Sequence, residues 1–318
     1  VMQLRRNHNL NIPSSTLDWL LSGDPAIRWQ VQRDLLGAPE MVYSPERQRV
    51  ASEGWGAQLL ARQDADGRWG RGLYSPKWIS TTYTLLLLCQ MGLPPENPQA
   101  RRGCEHFWRR DLYRDGGLNI FRSIDYSEVC VNGMILGLSC YFQYSDQRIH
   151  NVAEYLLTQQ MVDGGWNCER IHGATHASFH TTIMVLEGLA EYRQAFPGQA
   201  DRVRQAEQRA WEFLLQHRLY HSHRTGQVIH PSMTRLNFPT RWHYDFLRAL
   251  DYFRAVGASY DERMADGIEL LKKKRTTDGL WLAYRPFPGR SFFELEETGQ
   301  PSRWNTLRAL RVLGCYAV

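Results

Sequence analysis

The chain is expected to be all-α, a closed (α/α)6 toroid in which six helices line a centre and six more surround them. Three features of the 318 residues point there. An Asp-Gly turn recurs at a regular interval, a long apolar helix follows each turn, and an amphipathic helix separates one unit from the next.

The turns come first. Gln63–Trp69 reads QDADGRW, Tyr113–Leu118 reads YRDGGL, Gln159–Trp166 reads QQMVDGGW and Arg275–Trp281 reads RTTDGLW. Their aspartates are Asp66, Asp115, Asp163 and Asp278, so the first two intervals are 49 and 48 residues. The last gap of 115 residues has room for a degenerate copy, and HRLYHSHRTGQ (His217–Gln227) is the candidate. Glycine permits a left-handed backbone, Asp bonds nearby amides, and Trp wedges between units and tethers them through its ring N–H. These turns are therefore read as structural.

Six apolar segments, five after the turns and a weaker earlier copy, are read as the inner helices. They begin near Arg28, Trp78, Tyr126, His176, Arg241 and Arg303. They are apolar over more than one face, as buried helices are. Segments 14–21, 46–62, 98–110, 146–160, 201–217 and 260–274 carry Arg, Glu and Gln on one side only and are read as the outer helices. Prolines 94, 95, 98, 197, 239, 286 and 301 fall between helices, where a breaker belongs. No unit hides its apolar face alone, and stacking in a closed ring does so. No internal linker is evident, so residues 1–318 read as a single domain.

Composition narrows the function classes. Apolar residues are 43% and charged residues 22%, a globular balance. The net charge of +5 is dispersed apart from Lys272–Arg275, so no nucleic-acid partner is expected. The six cysteines form no CxxC pair and fit a reducing compartment. The opening VMQLRRNHNLNIP lacks an apolar run, and no stretch is long enough to span a bilayer. A soluble cytoplasmic protein is expected.

The richest polar segment is DGGWNCERIHGATHASFH, residues 163–180. His176 and His180 are four apart and share a helix face. Cys168 lies on the approach, Cys130 near the previous inner-helix start and His243 near the next. If these starts converge, Cys168, one of His176 and His180, and His243 make a zinc site, with Cys130 as substitute. Asp245 or Glu169 would orient a histidine or act as a base. Trp78, Tyr83, Tyr126, Phe179, Trp242, Tyr244 and Trp304 would line one apolar cavity, and Arg241 would meet an anionic group.

The QxxDGxW pattern of Gln63–Trp69, its partial repeats and the alternating helices resemble the squalene/hopene cyclase and protein prenyltransferase superfamily. The resemblance covers nearly the whole chain and implies a single (α/α)6 domain. Squalene-type cyclases use an acidic DxDD motif, which this sequence lacks. The acids near inner-helix starts are Asp125, Glu128 and Asp245. Prenyltransferases use zinc held by Asp, Cys and His; His243 stands near the histidine position, but no Asp-x-Cys accompanies it, and a partner subunit would be implied. The leading expectation is a cavity enzyme acting on an isoprenoid-like or other apolar small molecule, terpene-cyclase-like or metal-assisted. The alternatives are a non-catalytic lipid, peptide or small-molecule binder, and a glycan-active ring using Asp125 and Asp245 as paired carboxylates.

Overall fold

The computed structural model describes residues 12–316. The opening residues on which the expectation of no leader rests lie largely outside them. The described chain is all-α, a toroid of paired helices with no β-sheet; only isolated bridges occur. It has thirteen α-helices: α1 (Ser14–Leu21), α2 (Pro25–Gln30, continued by a π-turn to Leu35), α3 (Glu40–Gln48), α4 (Gly54–Leu60), α5 (Thr81–Met91), α6 (Pro98–Glu105), α7 (Val129–Tyr141), α8 (Ile149–Thr158), α9 (Phe179–Ala195), α10 (Ala200–Gln216), α11 (Phe246–Ala255), α12 (Ala265–Lys273) and α13 (Arg303–Tyr316).

Burial separates the two layers. On α7, ten of thirteen residues are buried, with no exposed face left over. On α10, seven of seventeen are buried, and Arg and Gln occupy the rest. By this measure α2, α5, α7, α9, α11 and α13 are the inner helices. The helices between them are outer. The expected outer helix over 46–62 is two helices: α3 ends at Gln48, a short turn over Arg49–Ala51 follows, and Gly54, with a left-handed φ of 63°, opens α4.

Three inner helices begin about one turn later than the apolar pattern suggests, at Thr81, Val129 and Phe179, and α11 waits until Phe246. The residues before them are extended, and two of them cap their helices through side chains. Ser178 Oγ accepts from the Thr181 amide at 3.5 Å, and Asp245 Oδ1 from the Arg248 amide at 2.8 Å. Each satisfies an amide that has no partner inside its helix.

The turns tie the layers together. Trp69, Trp166 and Trp281 are fully buried. Their ring N–H groups donate to Leu59, Leu156 and Leu271 carbonyls at 2.7, 2.7 and 2.8 Å, each ten residues upstream at the end of an outer helix. Their backbone N–H groups donate to Thr81, Thr182 and Thr306 hydroxyls at 3.0–3.1 Å, at the next inner helix. Gln160 donates to both Gly164 and Ala206 carbonyls, as Gln63 does to Gly67 and Gln99. The His217–Gln227 segment also turns, with a bridge between His221 and Val228. It has no Trp; the Tyr244 hydroxyl reaches the Leu219 carbonyl at 2.6 Å instead.

The first and last inner helices meet. Arg311 on α13 bonds Gln30 Oε1 at 2.8 Å and Asp34 at 3.2 Å. Arg303 donates to the Trp19 carbonyl at 3.1 Å and lies over its ring. Those contacts close the ring.

Candidate functional site

The inner helices run the same way, so the ring has two chemically distinct ends. Their N-terminal end carries most of the side chains singled out in the sequence. A strap formed by residues 284–295 lies across it. Trp78 donates its ring N–H to Phe287 and Pro288 carbonyls at 3.0 and 3.1 Å, and its backbone N–H to the Arg290 carbonyl at 2.7 Å. The Phe287 ring stacks on His243 with centroids 3.4 Å apart. Beneath the strap is a cavity of about 350 Å³, lined by Trp78, Arg241, Phe287 and Asn305 among others.

The candidate residues sort into groups. Trp242 stacks on His243 at 3.9 Å, and His180 meets both edge-on. His180 Nδ1 accepts the Tyr244 amide at 2.8 Å. Burial pushes His180 down to about 4 and His243 to about 3, so both are neutral at physiological pH. Burial likewise lowers Arg241 to about 10. Lys77 lies over Trp78 and Trp242. Tyr83 is buried against Trp78 and Tyr74.

Cys130 and Cys168 form a second group. The Cys130 amide donates to Cys168 Sγ at 3.3 Å, and the Thr181 hydroxyl is 3.6 Å from it. Hydrogen bonding from the Cys130 thiol lowers the Cys168 pKa and raises that of Cys130. Glu128 is half-buried beside them, and desolvation raises its pKa. His176 is exposed. The thiol pair and the imidazole pair are thus separate, and no group of three or more His, Cys, Asp or Glu among the described residues converges as a metal site.

The remaining candidates stand apart. Asp125 is 83% exposed and pairs with Arg114, and Glu169 pairs with His172 at the surface. Asp245 is buried as the α11 cap, 3.9 Å from Arg308. Asp125 and Asp245 therefore do not face each other as the glycan-active arrangement requires. Tyr126 packs edge-on against His172. Phe179 packs against Phe213 and Tyr244 in the core.

The larger space is at the opposite end, where the inner helices finish. A cavity of about 1580 Å³ opens there, above the usual size of a small-molecule site. Trp304, stacked on Phe238 at 4.0 Å, is the sequence candidate that lines it. The wall carries charges that the sequence reading did not single out. Arg248 clasps Glu187 with two bonds of 2.8 and 2.6 Å. Asp251 accepts from Arg311 and Arg254. Burial works against its charge, but those arginines prevail and hold it near about 2.

Glu191 lies one turn beyond Glu187 on α9 and faces the same cavity. It has no hydrogen bond or ion pair with any described residue. Burial, then the Glu187 charge, raise it to about 7, against the pull of Arg47. The available signal was two glutamates at i, i+4 inside an otherwise apolar inner helix, VLEGLAEY. A charged pair on a buried face needs either partners or a cavity.

No protein-family model matches the sequence, and no curated protein matches it. Solved structures do. A protein from Actinoplanes is 17% identical, with 96% of this chain and 99% of that one covered and a TM-score of 0.48. The type II terpene cyclase MstE from Scytonema, without ligand, is 13% identical, covering 87% and 97%, with a TM-score of 0.34. No helix among the described residues is long and apolar enough to cross a membrane.

Proposed function

We propose that the protein is an enzyme acting on a largely apolar small molecule in the 1580 Å³ cavity, with Glu191 as the group that moves a proton. The observation that carries this is the division of labour on α9. Glu187 is neutralised by Arg248, whereas Glu191 is unpaired, faces the cavity and titrates near 7. A carboxyl with that pKa gives and takes protons readily at neutral pH. It suits isomerisation, elimination or hydrolysis at a polarised bond. An unactivated alkene needs a stronger acid, so a terpene-cyclase-like step requires a bound substrate that strengthens Glu191. A metal-assisted version would place the ion at the other end and would need Cys168, His180 and His243, with Cys130 as substitute, to come together from the separate thiol and imidazole pairs. Metal content per chain after zinc reconstitution, with and without His243→Ala, tests that version.

The central test compares the protein with Glu191→Gln. Each is incubated with a fractionated mixture of apolar metabolites, and consumption is followed by mass spectrometry. The protein should consume a compound that Glu191→Gln converts about 100-fold more slowly or worse. A compound bound by both and changed by neither makes this a non-catalytic binding protein.

A further inference from the structure

We infer that the large cavity takes an amphipathic organic anion, and that Arg47 holds its head group. This rests on the cavity being the ligand site, but not on Glu191 transforming the ligand.

The other arginines of the wall already face carboxylates. Arg33 and Arg311 pair with Asp34, Arg193 with Glu207, Arg248 with Glu187 and Arg254 with Asp251. Arg308 lies 3.9 and 3.8 Å from Asp245 and Asp251. Among the described residues, Arg47 is the cavity arginine with no carboxylate within 4 Å. It is nevertheless fixed in place. Its Nε donates to the Gly92 carbonyl at 2.9 Å, its Nη2 to the Tyr141 hydroxyl at 3.0 Å, and its guanidinium lies 5.1 Å from the centre of the Trp29 ring. Tyr141 is anchored in turn on the Leu93 carbonyl at 2.9 Å. A guanidinium has five N–H donors, and those contacts use two. A cation held rigid with donors to spare, at the wall of a cavity, is a receptor for an oxyanion.

Its surroundings define the rest of the ligand. Glu191 is near enough to sense the Arg47 charge. When protonated it offers a hydrogen-bond donor to the same head group. Leu35, Tyr43, Ala190, Phe196, Val256 and Leu310 supply apolar wall for a hydrocarbon body. Carboxylate and phosphate monoester heads share this chemistry.

The test uses four probes with one chain length: laurate, dodecyl phosphate, dodecanol and dodecyltrimethylammonium, titrated below their micelle concentrations at about pH 6. The two anions should bind about tenfold or more tightly than dodecanol. Arg47→Met should reduce anion affinity to the dodecanol level and leave dodecanol unchanged, while Arg47→Lys should keep part of the preference. The tighter anion identifies the head group. Equal binding of dodecanol and the anions, preference for the cation, no binding of any probe, or an equal loss of all probes in Arg47→Met each overturns the assignment. Anion binding that depends on Arg47, together with turnover unaffected by Glu191→Gln, leaves this assignment standing and removes the proposed catalytic role.

Discussion

Glu191 faces Glu187 on its own helix, and its charge is felt by Arg47 on α3, Cys89 on α5, and Cys140 and Tyr141 on α7. Its pKa rises from 4.5 to about 7 on folding, so the folded state holds a proton that the unfolded state has released between those values. Stability contributed by the neutral form is therefore lost as pH rises through that window. Glu191→Gln should be more stable than the protein at pH 8 relative to pH 5, by on the order of 2 kcal/mol. Urea unfolding at the two pH values measures it, and a constant difference refutes the shifted titration. Anion affinity should fall in the same direction, because ionised Glu191 repels a head group at Arg47. Laurate titrations from pH 6 to pH 8 should show weakening that Glu191→Gln abolishes.

Inner helices α7 and α9 touch through backbone. A Cβ built on Gly188 would meet the Gly133 carbonyl oxygen at 2.2 Å, and one on Gly133 would lie 2.9 Å from the Met184 oxygen. The obstacle is main chain, which has no rotamer to move away. Gly188→Ala should lower stability by about 2 kcal/mol or more despite the better helix propensity of alanine. Thermal unfolding tests this, and a stabilised variant shows that the helices separate freely. The Trp turns are elements of the same kind: a ring N–H to the preceding outer helix and a backbone N–H to the following inner one. Such tethers were legible in the repeat, because Asp-Gly-Gly-Trp specifies a turn and a wedge locally. Four of the six inner-helix starts lie three to five residues beyond the expected ones, because the segments before them continue the polar-then-apolar pattern without helical backbone.

Ring closure depends on the link between the ends of the chain. Arg311 reaches Asp34 and Gln30 on α2 and Asp251 on α11, so it joins the first, fifth and sixth inner helices. Arg311, Asp34 and Asp251 are all largely buried, so removing Arg311 takes one counter-charge from each buried aspartate and leaves Asp34 to Arg33 and Asp251 to Arg254 and Arg308. Arg311→Met should cost about 3 kcal/mol or more and broaden unfolding as the α13–α2 seam opens. Hydrogen exchange should then rise first in α2 and α13. Uniform exchange throughout the ring would show that closure does not depend on this cluster.

Helix type, the order of the layers and the turn chemistry were legible in the residues alone, because helical period, glycine conformation and side-chain capping act over a few residues. Trp78 and Arg241 line one cavity and Trp304 the other, instead of the single cavity expected. Tertiary structure decided which end of the ring is open. The strap from residues 284–295 covers the N-terminal mouth through contacts of Phe287 with Trp78, 209 residues earlier, and with His243 on the preceding inner-helix approach, contacts that no local pattern encodes. It also decided which charges are spent. Whether Glu187 or Glu191, Arg47 or Arg248, has a partner depends on helices from distant parts of the chain meeting across the cavity, and only the closed ring brings them there.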